Sequence, residues 1–106
     1  MTTNAPLTLL QFDFPFAGPW GQEFTEAMQG LASDIASEDG LLWKIWTENA
    51  AAGRAGGIYL FSNSADAARY HAKHAARLQT FGIKDIVAHS FDVNAPLTQL
   101  TRGPLQ

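Results

Sequence analysis

Gly40-Leu41-Leu42-Trp43-Lys44-Ile45-Trp46-Thr47-Glu48, then a small-residue turn from Ala50 to Gly53, then Gly56-Gly57-Ile58-Tyr59-Leu60-Phe61: this stretch decides the fold. Two runs rich in aromatic and branched residues flank a Gly/Ala segment, the pattern of a strand, a loop and a second strand. Side chains alternate along a strand. Alternation sends Leu41, Trp43 and Ile45 to one face and Leu42 and Trp46 to the other. A sheet with one wet face does not place Trp on both sides, so both faces of this hairpin are expected to be covered.

Upstream, residues 1–6 read as a polar tail. Leu7 to Phe14 reads as a strand with Thr8, Leu10, Phe12 and Phe14 on one face and Leu7, Leu9, Gln11 and Asp13 on the other. Pro15, which cannot donate to a ladder, stops it. Phe16 to Gly21 is a loop carrying two large aromatics. The spacing of Phe24, Ala27, Met28, Leu31 and Ile35 predicts a helix, entered near Pro19 and closed by Gly40.

Downstream, Ser62-Asn63-Ser64 offers N-cap oxygens and Asp66 suits the positive end of a helix. That helix is expected to run to Phe81, with Gly82 as its stop. Two stripes compete on it: Tyr70, His74, Arg77 and Phe81, or Ala68, His71, Ala75 and Leu78. They overlap, and either brings a histidine towards the sheet. Ile86 to Val93 is the last strand, with Val87, His89, Phe91 and Val93 sharing a face. Residues 94–106 carry spaced leucines (Leu97, Leu100, Leu105) and read as an arm that docks, a partner subunit being one place for it.

The order strand, helix, strand, strand, helix, strand is the split βαβ arrangement. It predicts an α+β, ferredoxin-like βαββαβ fold with a four-stranded antiparallel sheet and both helices on one face. At 106 residues the chain is one domain. The second apolar sheet face predicts a homodimer, because a two-fold pair lets one patch cover its own copy.

Composition excludes several function classes. The chain has no cysteine, which removes disulfides, thiolate zinc sites and cysteine nucleophiles. The net charge is −3, with acids and bases interspersed and no basic patch, which argues against nucleic acid as a partner. No leader-like run and no apolar stretch of spanning length is seen, so the expectation is a soluble, cytoplasmic protein without membrane contact.

Gly-Leu-Leu-Trp-Lys-Ile-Trp-Thr-Glu (40–48), Ala-Gly-Gly-Ile-Tyr-Leu-Phe (55–61), Lys-His-Ala-Ala-Arg-Leu (73–78) and Phe-Asp-Val-Asn-Ala-Pro-Leu (91–97) closely resemble the YdhR-like monooxygenase family of the dimeric α+β barrel superfamily. The resemblance covers nearly the whole chain after the first few residues. It implies a ferredoxin-like subunit and a homodimer closed by the two sheets. It also implies oxygenation of a small aromatic (quinol, phenol or anthrone-like) compound by dioxygen with no cofactor.

Such chemistry sets physical demands. Ground-state dioxygen is a triplet and reacts poorly with closed-shell molecules, whereas a stabilised organic anion can give it an electron. The protein then needs a water-poor apolar pocket, a general base and a group that steadies the anion. Histidine starts near the required pKa. His74 is the first candidate base and His71 the second. Their spacing of three could serve a metal, but no carboxylate joins them at helical spacing, so no metal site is expected. His89 lies on an apolar strand face and reads as an interface residue. Trp43, Trp46, Tyr59, Phe14, Trp20 and Tyr70 are candidates for touching substrate, Tyr59 above all because a buried hydroxyl needs a partner. Arg77 is a candidate for holding an anion. Gly56-Gly57 is followed by no helix and so is not a phosphate loop; it marks close backbone approach. The rival reading is a non-catalytic small-molecule or haem-binding stress-response protein, with His71 or His74 as an axial ligand.

Overall fold

A computed structural model describes residues 6–106, so all of the expected N-terminal tail except Pro6 lies outside the described residues. The elements are β1 (Thr8–Pro15), α1 (Gly21–Ala27), α2 (Gln29–Ala36), β2 (Leu41–Asn49), β3 (Arg54–Phe61), α3 (Ser64–Thr80), β4 (Val87–Asp92) and α4 (Ala95–Leu100). One four-stranded antiparallel sheet has the order β2-β3-β1-β4. The chain is therefore ferredoxin-like, as the element order predicts.

β1 keeps its alternation: Thr8, Leu10, Phe12 and Phe14 are buried under the helices. β3 contributes Ala55, Tyr59 and Phe61 to the same layer. On the helix side Phe24, Ile35, Ala67, Tyr70, His74 and Leu78 are buried. α3 is capped as expected, with the Asn63 side chain accepting from the Asp66 amide at 2.8 Å. Its inward stripe takes Tyr70 and His74 from one expected set, Leu78 from the other, and adds Ala67.

The structure corrects two details and specifies a third. First, the helix expected to end at Gly40 bends at Met28 and stops at Ala36, with Ser37 as its C-cap. Gly40 instead sits in the turn before β2 at φ +79°, where a Cβ would collide with the Asp66 side chain. Second, β2 carries a register shift between Leu41 and Trp43. A bulge inserts one residue and breaks the alternation locally, so Leu41 packs against the helix-side core while Trp43 and Ile45 face away from it. Third, the arm forms a short helix, α4, and then returns to this chain: Trp43 Nε1–H donates to the Pro104 carbonyl at 3.3 Å. Leu60, next to Trp43 in the ladder and facing away from the helices, is only 1% exposed.

The rest of that sheet face stays open. Ile45 is 52% exposed, Val87 42% and Phe91 49%. Among the described residues no helix is long and apolar enough to cross a membrane.

Candidate functional site

A cavity of about 260 Å³ lies between the helices and the sheet. Its walls are mostly apolar: Phe14 and Phe16 from β1 and the loop after it, Phe24 and Met28 from the first helical segment, and Trp46 from β2. Phe81 and Ile83, just past α3, complete it. The aromatic wall is held by edge-to-face packing, with centroids 5.5 Å apart for Phe16–Phe24 and 5.9 Å for Phe24–Trp46; this geometry suits the ring quadrupoles. Two backbone ties fix the loop before α1. The Phe16 amide donates to the Gly53 carbonyl at 2.8 Å, and the Gly21 amide donates to Glu48 Oε1 at 2.8 Å.

Three polar side chains reach this lining: Lys44, Tyr59 and His74. His74 is 2% exposed and stacks on Tyr70 with centroids 5.0 Å apart. Arg77 donates to its Nδ1 from Nη2 at 3.0 Å and from Nε at 3.3 Å. Arginine can only donate, so Nδ1 is an acceptor and the neutral ring carries its proton on Nε2. Arg77 is itself held by Asp34 Oδ2 at 2.7 Å. Burial first, then the charges of Lys44 and Arg77, push the His74 pKa down to about 3. At neutral pH His74 is therefore an uncharged donor whose other nitrogen is occupied.

The Tyr70 hydroxyl donates to the Tyr59 hydroxyl at 3.3 Å. Burial raises both phenols, Tyr70 to about 12 and Tyr59 further. Neither ionises at neutral pH.

Lys44 enters this layer because β2 register places it opposite Tyr59 and Trp46 opposite Gly57. Its ammonium lies 3.4 Å from the centroid of the Trp46 ring and 4.6 Å from that of Tyr59. Gly57 makes the room: a Cβ there would sit 2.6 Å from Lys44 Cε. Desolvation, then the charge of Arg77, push the amine from 10.5 down to about 7. The two aromatic faces favour the ammonium and oppose this by about 0.5–2 kcal/mol. The downward push is larger, since 1 pKa unit is about 1.4 kcal/mol.

Of the expected contact residues, Phe14, Trp46, Tyr59 and His74 converge on the cavity. Tyr70 lies behind Tyr59, with centroids 4.9 Å apart. Trp20 lies behind Phe16 at 5.3 Å. Arg77 meets the site through His74. His71 packs edge-on to Phe12 at 5.4 Å and is half-buried, away from the cavity lining. Trp43 is on the opposite sheet face, and so is His89, paired with Gln11 across the ladder. Among the described residues no group of three or more His, Asp or Glu side chains could hold a metal ion.

Sequence reasoning passed over Lys44. A signal was present: Lys44 is two residues from Trp46, in phase with it, and a Gly-Gly pair lies in the neighbouring strand.

The family described as "Putative mono-oxygenase ydhR" matches residues 9–104. The chain belongs to the ydhR mono-oxygenase family. No curated protein matches the chain. The match to the ydhR family spans every residue that lines the cavity, from Phe14 of β1 to Ile83 after α3.

Proposed function

We propose that the protein is a homodimeric mono-oxygenase that oxidises a small quinol, phenol or anthrone-like substrate with dioxygen and no bound cofactor. The observation that carries this reading is the aromatic-walled cavity with three buried or half-buried polar groups converging on it. Small-molecule sites are mostly apolar with a few placed polar groups, and run to about 300–1,000 Å³; the cavity falls just below that range at about 260 Å³. For a ring methylene the overall step balances simply. The carbon gains one oxygen atom as a carbonyl, and the second oxygen leaves as water with the two methylene hydrogens. Electrons come from the substrate anion, so the protein must favour that anion and keep water out. His74, neutral and a hydrogen-bond donor, suits a role of steadying the anion's oxygen.

Dimerisation is part of the proposal. Ile45, Val87 and Phe91 are exposed on one sheet face, beside Leu9 and Ile58. A second copy related by a two-fold axis would cover them. Light scattering at micromolar concentration is expected to give twice the subunit mass of 11.5 kDa.

The direct test is oxygen uptake with a panel of quinols, phenols and anthrone-like compounds, run alongside quenching of tryptophan fluorescence. Turnover with at least one member supports the reading. Quenching without any turnover would favour a binding protein that uses the same cavity.

A further inference from the structure

Lys44 differs from the other lysines and arginines of the chain. Arg54 pairs with Asp13, Arg69 with Asp66, Lys73 with Glu38 and Arg77 with Asp34. Lys84 and Arg102 are exposed. Lys44 is half-buried, lines the cavity, and has no carboxylate partner among the described residues. An amine in such a place is usually neutralised by a carboxylate or turned out to water. Here the chain does the reverse, leaving Gly57 without a side chain so that the lysine stem fits.

We infer that Lys44 is the proton acceptor of the cavity, taking the hydroxyl proton of a phenolic or enolic aromatic substrate and then holding the anion as its ammonium partner. The inference rests on the mono-oxygenase reading and deepens it by assigning the base and the acidic group of the substrate. In the step, the substrate O–H bond breaks and its electron pair stays on oxygen. The proton bonds to the Nζ lone pair, so a neutral amine and a neutral phenol become an ion pair. No oxidant is needed until dioxygen meets the anion.

The competing groups are already committed. His74 Nδ1 accepts from Arg77, and its remaining proton sits on Nε2. The Tyr59 and Tyr70 hydroxyls are held protonated by burial. The charged and titratable groups acting on Lys44 are Arg77 and His74 from α3 and Tyr59 from β3. Burial and Arg77 favour the amine at rest. The Trp46 and Tyr59 faces stabilise the ammonium once the proton has moved. The arrangement thus suits both sides of a reversible transfer, as a base working near neutral pH requires.

The test uses 4-nitrophenol, whose neutral and ionised forms absorb at different wavelengths, with the full chain and the variants Lys44→Met and Lys44→Arg. At a pH below the probe's own pKa, the wild type is expected to bind it largely as the anion. Lys44→Met is expected to bind it as the neutral phenol, with an ionised-to-neutral ratio at least ten-fold lower. Oxygen uptake with the best phenolic substrate should fall about 10²–10⁴-fold in Lys44→Met. Lys44→Arg should keep the anion but not the turnover, because arginine does not give up its proton. Equal ionisation in wild type and Lys44→Met would overturn the role of Lys44 while leaving the cavity reading intact. Failure of every variant and the wild type to bind any phenol would overturn both.

Discussion

Replacing Lys44 by methionine should stabilise the protein, and the gain should depend on pH in a way fixed by the cavity. The amine titrates at 10.5 when free and about 7 when folded. Below pH 7 it is charged in both states, and the folded state bears the full cost of desolvating it. Between pH 7 and 10.5 the unfolded chain holds the proton more tightly, so wild-type stability rises with pH. Above 10.5 the amine is neutral in both states and the electrostatic cost vanishes. The full shift corresponds to about 5 kcal/mol at 1.36 kcal/mol per unit. Contact with Trp46 and Tyr59 offsets about 0.5–2 kcal/mol of this, and half-exposure screens some of the remainder. The expected gain for Lys44→Met at pH 6 is therefore about 2–4 kcal/mol, with an unbranched apolar side chain filling the same slot. Urea unfolding of both proteins at pH 6, 7.5 and 9 measures it, and the difference cancels the other titrating groups. A gain that shrinks from pH 6 to pH 9 is expected. A difference that stays flat with pH, or a variant less stable at pH 6, would refute the account of Lys44 as a desolvated amine.

The same geometry supports other tests. Gly57→Ala places a Cβ 2.6 Å from Lys44 Cε and 3.2 Å from the Ile45 carbonyl; it should displace the lysine and lower turnover, and a double-mutant cycle with Lys44→Ala should show coupling of at least about 0.5 kcal/mol in unfolding free energy. His74 protonates at 6.5 when unfolded and near 3 when folded, so stability should fall as pH drops from 6.5 towards 3, and His74→Phe should flatten that limb of the acid-unfolding curve. With Lys44 as the base, turnover should climb as pH rises through about 7, because only the free amine accepts a proton; an activity falling across that range would count against it. Ile45→Glu, on the open sheet face at 52% exposure, should halve the mass seen by light scattering while leaving the subunit's circular dichroism unchanged.

Some of this was legible in the residues. The opposed Trp43 and Trp46 announced a sheet with two demanding faces, and they do lie on opposite faces. Helical spacing brought a histidine towards the sheet but left two stripes open; the structure buries His74, four positions from Tyr70 and on its inward side, and not His71. What could not be read was anything set by an exact register. The bulge at Leu42 adds one residue to one strand and has no compositional mark, so simple alternation puts Leu41 with Trp43, whereas it packs with Trp46. Lys44 was passed over because a lysine in a strand ordinarily points to water. Its phase with Trp46 and the Gly-Gly pair of the next strand hinted at an inward place, and the register that sets Gly57 beside its stem fixes it. The Arg77 grip on His74 Nδ1 was equally hidden, since Arg77 had two plausible facings and only one brings it to the ring.

The two faces of β2 divide the work of the chain, and the bulge is what lets them do so. Trp46 and Lys44 point at the helix layer and the cavity, Trp46 towards Phe24 of α1, while Trp43 and Ile45 point at the arm and the open face. With strict alternation from Leu41, either the leucine or Trp43 would be on the wrong side. The extra residue at Leu42 gives the core Leu41 and leaves Trp43 free to hold the Pro104 carbonyl. That contact matters for the site indirectly. It ties the arm beneath the strand that carries Lys44, so the strand has support on the face opposite the cavity. A base must sit within a few tenths of an ångström of its working position, and a lysine has four rotatable bonds with which to lose it. Gly57 below the stem, Trp46 and Tyr59 against the amine, and a strand braced from behind are the restraints that remove this freedom.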